Sequence, residues 1–120
     1  MNVATSSILN LEELLSRVDD DRELVVELFF IFRSGCLGNF QRLREAIRRE
    51  DGKQAERECH TFKGILLNLS APRAAAAARD LENLARQRQF GSMRTGLAEL
   101  ESEVRLLLVQ IEERADEFRK

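Results

Sequence analysis

His60, Lys63 and Gly64 stand together in the stretch CHTFKGILLNLS, residues 59–70, and His60 is the sole histidine of the 120-residue chain. A solvent-facing imidazole titrates near neutral pH, so its neutral form offers a nucleophilic nitrogen. A lysine on the same helical face brings a mobile positive charge to an anion attached to that ring. A phosphoryl group, with its several oxygens, is the anion that fits. A glycine one turn later lowers helix propensity by about 1 kcal/mol relative to alanine. That cost has a reason if the missing side chain leaves a bulky partner room to reach the ring.

The chemistry requires that these residues share an outward face. At about 100° per residue, Lys53, Glu56, Lys63, Gly64 and Leu67 fall within about 60° of His60. Ala55, Cys59, Phe62, Ile65, Leu66 and Leu69 fall on the opposite side. The apolar face is therefore complete without the histidine. Lys53 and Glu56 read as solvated charges at the edge of the site and, with Leu67, as candidate partner contacts. A lone histidine is ordinarily a satisfied core or surface residue, and only its company promotes it here. No second histidine or carboxylate–cysteine set completes a metal site.

Helical periodicity dominates the chain, with no alternating strand pattern. Asn10 caps a short first helix, LEELLSRV, and Asp19–Asp21 open a long second one from about residue 20 to residue 49. Val25, Leu28, Phe29, Phe32, Cys36, Phe40, Leu43 and Ile47 recur along it every three or four residues. Gly35 and Gly38 mark its middle as the place for a bend. EDG at 50–52 breaks the pattern, and Asp51 with Gln54 resembles a capping box for the helix carrying His60. SAPR at 70–73 ends that helix, with Pro72 suited to the first turn of the next. The alanines at 74–78 form a close-packing surface able to accommodate Ile65 and Leu66. Gly91 breaks the chain again, and Ser92 caps a last helix with Leu97, Leu100, Val104, Leu107, Leu108, Ile111 and Phe118 on one side. Short breaks between long amphipathic helices predict an all-α, antiparallel up-and-down four-helix bundle with a short extra helix at the N-terminus. Residues 1–120 read as one domain, its core spanning about residues 8–118.

The totals agree. Apolar residues make up 43% and charged residues 33%, with one proline, a mix suited to a folded helical protein. A net charge of −2, with arginines interleaved among acids, gives no pull toward nucleic acid or membrane surfaces. No apolar run is long enough for a bilayer, and MNVATSSILN, without a basic start and an apolar run, does not read as a signal peptide. Cys36 and Cys59 read as small buried thiols of a reducing compartment, so a cytoplasmic location is expected. No glycine-rich phosphate cradle is present, so the chain is expected to have no nucleotide site and not to be an enzyme in its own right.

With these residues in place, HTFKG at 60–64 resembles the H-x-x-K-G core of the histidine-containing phosphotransfer (HPt) domains of phosphorelays. The similarity extends over nearly the whole chain. DDDRELVVELFFIF, REAIRREDGKQAERECHTFKG, NLSA and DLENLAR all fall where that family has comparable segments. The resemblance implies a four-helix bundle that accepts a phosphoryl group on His60 from a receiver-domain aspartate or a kinase and passes it to another receiver. Lys63 would be the charge partner and Gly64 the access position. The partners implied are a response-regulator receiver domain and a sensor or hybrid histidine kinase. No cofactor is implied on this chain, and magnesium is expected on the receiver. Asn68, Leu69 and Ala71 match the family's usual NLGA, with Ser70 replacing its glycine. ILL at 65–67 departs from the small residues common there. Leu67 beside the histidine either contacts a partner or narrows the docking surface.

Three readings therefore stand side by side: a phosphotransfer module, a phosphoacceptor domain of a larger kinase, and a helical interaction scaffold that keeps the fold without the transfer. A dimerising kinase helix, with histidine followed by an acid and an arginine–threonine–proline run, does not fit HTFKG.

Overall fold

The computed structural model describes residues 7–119, with side chains described through residue 118. The described residues form five helices: α1 Leu11–Arg17, α2 Arg22–Arg48, α3 Gly52–Asn68, α4 Pro72–Arg86 and α5 Phe90–Arg119. The expected bundle is what forms. α2 packs on α3 and α5, α4 packs on the same two, and α1 lies against α2 outside the ring. No described helix is long and apolar enough to cross a membrane.

The first four helix starts are set locally. Asn10, Asp21 and Asp51 accept hydrogen bonds from the amides of Glu13, Leu24 and Gln54, satisfying donors that a helix start leaves orphaned. Pro72 opens α4, where its missing N–H costs nothing. The capping box at Asp51 is only half made. The Gln54 side chain does not return to Asp51; its Nε2 donates instead to Glu58 Oε1 at 2.8 Å.

Two boundaries differ from the sequence reading. Asp19 and Asp20 do not enter α2; both adopt left-handed backbone (φ 53° and 60°) and form the turn before it. The break near the C-terminus lies at residues 87–89, so Gly91 and Ser92 sit inside the first turn of α5 and Ser92 is not its cap. The reason is that Arg88 takes the left-handed conformation (φ 58°). The Gln89 amide then closes back on the Leu84 carbonyl at 2.9 Å, ending α4 before the glycine is reached. Glu50 and Ser70 do the same after α2 and α3 (φ 54° and 57°). None of these turns uses glycine.

The core is one cluster. Val25, Phe29, Phe32, Cys36, Phe40, Leu43 and Ile47 of α2 are buried, while Leu28 is only partly so. α2 runs helical through Gly35 and Gly38. Phe40 meets Phe62 of α3 edge-on at 4.9 Å between ring centres, a favoured aromatic geometry. Ala74, Ala75 and Ala78 bury the inner face of α4, and Gly96 of α5 lets that helix approach closely. A Cβ at Gly96 would come within 2.9 Å of Leu81 Cδ1. Along α5, Leu100, Val104, Leu107 and Ile111 are buried, and Leu97, Leu108 and Phe118 lie at the edge. Leu66 is buried, but Ile65 is not seated on the alanines. It lies at the groove toward α2 beside Leu28 and Ile31.

Candidate functional site

The middle of α3 places His60 outward, its side chain 69% exposed. Facing it on α4 is Glu82, a residue only 4% exposed. Glu82 Oε2 lies 2.9 Å from His60 Nδ1, and Glu82 Oε1 accepts from Lys63 Nζ at 2.7 Å. Arg86, one turn further along α4, comes within 3.6 Å of Glu82 Oε2 and 3.5 Å of Glu56 Oε1. One nearly buried carboxylate therefore organises the histidine, the lysine and an arginine.

Burial alone works against charge on Glu82. Hydrogen bonds from Lys63 and His60, with their charges, outweigh it and hold the carboxyl below its ordinary value of 4.5. An ionised carboxylate can only accept, so the proton of the neutral imidazole belongs on Nδ1 and the lone pair on Nε2. Nε2 makes no hydrogen bond among the described residues. The neighbouring thiol does not compete as a nucleophile. Burial pushes Cys59 up to about 12, with the carboxylates of Glu82 and Glu58 adding to the shift.

Lys63 lies on the same face as expected, with its side chain 22% exposed and its ammonium paired to Glu82. It is a cation held against α4, not a free solvated one. Gly64 meets the expectation of open space, since a Cβ built there would find no atom within 4 Å. Lys53 and Glu56 line an open cleft of about 610 Å³ beside His60, with Arg57, Glu82 and Arg86. Leu67 is 49% exposed and off the core. It borders a shallow hollow with Lys63, Pro72, Ala75 and Arg79. α1 is fastened to this end of α3, where Arg17 Nη1 donates to the Leu67 carbonyl at 2.6 Å and Ser70 Oγ donates to Glu13 Oε1 at 2.9 Å.

Glu82 escaped the sequence reading, although a signal was there. It sits at the i+4 position from Ala78 and i−3 from Ala85, an acid on the apolar stripe of α4. An acid in such a slot needs a partner. Among the described residues no group of three or more metal-ligating side chains comes together.

An outward imidazole therefore stands on the four-helix bundle, held by a carboxylate that also binds an ammonium. The family model of the Hpt domain matches residues 27–117, and the chain belongs to that family. Hpt domains are phosphotransfer modules of two-component phosphorelays, acting with receiver domains and kinases. Searches of curated proteins and of solved structures returned no match.

Proposed function

We propose that His60 is the phosphoacceptor of a phosphorelay, taking the phosphoryl group from a receiver aspartate or a kinase and passing it to another receiver aspartate. The observation that carries this reading is the Glu82 carboxylate, which engages Nδ1 and leaves Nε2 with its lone pair toward solvent. Nε2 attacks phosphorus, the N–P bond forms, and the P–O bond to the donor aspartate breaks, its carboxylate leaving with the electron pair. Nδ1 keeps its proton, so the phosphorylated ring carries positive charge next to an anion. Lys63, one turn along the same face, supplies charge to the phosphoryl oxygens in this reading, and Gly64 leaves the approach open. Such transfers have little covalent chemistry for a protein to perform, so positioning and charge are the contribution required.

In this reading the chain supplies no nucleotide site and no cofactor, and magnesium belongs to the receiver, where it offsets phosphoryl charge. Lys53, Glu56 and Leu67 are the candidate partner contacts. The two free, buried thiols support a reducing, cytoplasmic setting. The test is incubation with a panel of phosphorylated receivers. His60 should acquire an acid-labile, base-stable label, and His60→Gln should lose it with helix content intact. Label surviving in that variant would overturn the assignment and leave a scaffold role.

A further inference from the structure

The outward face of α2 holds a second feature that the site does not use. Phe30, Ile31 and Leu37 are 61%, 62% and 65% exposed, and they share an arc of about 120° with Ser34 and Gly38. Singly exposed apolar residues are ordinary, but three large ones on adjoining turns form a patch of the kind that marks an interface. The cleft beside His60 is lined by α3 and α4 and does not include this face. Ile31 borders the α2–α3 groove with Ile65, whereas Leu37 lies on the side of α2 opposite Asn39 of that groove.

Gly35 and Gly38 weaken the helix at this point by about 1 kcal/mol each, and the bundle does not require them. A Cβ at Gly35 would meet nothing within 4 Å, and one at Gly38 only the tip of Arg42 at 3.4 Å. The charges of α2 and its entry are also polarised. Residues 19–27 hold five acids against one arginine, and residues 42–49 hold four arginines against one glutamate. Glu23 and Glu27 make no ion pair among the described residues.

We infer that this face pairs with a second copy of the chain, α2 against α2 in antiparallel, about a two-fold axis beside Ser34. That register sets Phe30 beside the second copy's Leu37 and Ile31 over its Gly38, each contact made twice, as an isologous interface demands. It also lays the acidic start of each α2 along the arginine-rich end of the other, whereas a parallel pairing would set like charges together. Small residues at the crossing let two helices approach closely. The imidazole faces stay free in such a dimer.

Sedimentation velocity on the full chain from about 5 to about 500 µM, a range suited to a small transient interface, tests this. The weight-average mass should rise toward twice the monomer and fall back as salt is raised. Leu37→Glu should stay monomeric throughout, with unchanged helix content. Gly38→Gln should also stay monomeric while unfolding at the same or a higher temperature, a combination that loss of fold cannot produce. A wild-type chain monomeric at every concentration overturns the inference, as does a dimer that survives both substitutions. Phosphoryl uptake from a receiver should be unaltered in Leu37→Glu. If that variant instead loses uptake while the wild type is monomeric, the face belongs to the receiver and the pairing is wrong.

Discussion

Glu82 Oε2 lies 2.9 Å from Nδ1 of His60, across the α3–α4 interface, joining a residue 4% exposed to a side chain 69% exposed. A buried acid thus sets the tautomer and orientation of a surface base. Removing the carboxylate partner that orients a metal-bound histidine typically costs 10–100-fold, and a loss of similar size is expected where the imidazole is the nucleophile. Glu82→Ala should slow phosphoryl uptake by about that factor, and Glu82→Gln, which can still accept from Nδ1, by less. Uptake rates with a saturating phospho-receiver check this. Equal losses in both variants would show that charge, not orientation, is what Glu82 supplies.

The same carboxylate sets a pH dependence. Its folded-state pKa lies below the ordinary 4.5, so it stabilises the fold above that value and the contribution is lost as pH falls through the lower folded value. Thermal unfolding from neutral pH down to about pH 3 should show a decline on the acid side that is shallower in Glu82→Gln. An unchanged acid limb in that variant would assign the loss to other carboxylates.

Gly64 has open space above it, so bulk there should hurt only what must approach. Gly64→Gln is expected to raise stability by about 0.5–1 kcal/mol through helix propensity while impairing transfer. Paired unfolding and transfer measurements decide it. A variant that transfers normally would remove the access role.

Leu67 is half-exposed beside the site. Leu67→Ala should lower receiver affinity and leave unfolding nearly unchanged, because an apolar group at the centre of a small interface carries binding and not folding energy. Titration calorimetry and a thermal melt distinguish the two. A marked loss of stability with normal binding would make it a packing residue.

Glu50 is held at φ 54° with its carboxylate 4.0 Å from Arg94 and largely exposed. Left-handed backbone costs an L-residue roughly 1–2 kcal/mol. Glu50→Gly should therefore stabilise by about 0.5 kcal/mol, after the added freedom of the unfolded chain is allowed for. Denaturant unfolding at neutral pH reads this directly, and a lower midpoint would mean the Arg94 pair outweighs the strain.

Local signals in the sequence specify most of the bundle: cap residues at Asn10, Asp21 and Asp51, Pro72 at the head of α4, and apolar residues recurring every three or four positions. These act within a turn or two, so they are legible in one dimension. The outward facing of His60 follows from the same periodicity, since an apolar stripe that is complete without the histidine must point it away. What lay beyond reach depended on which helix faces which. The turn at residues 87–89 was hidden because Arg88, not a glycine, takes the left-handed conformation. The pairing of Lys63, and the role of Glu82, arise only when α4 is laid against α3. Twenty-two positions separate Glu82 from His60 along the chain, and no spacing rule links them. Only the packing that buries Glu82 gives its carboxylate reason to seek both the imidazole and the ammonium.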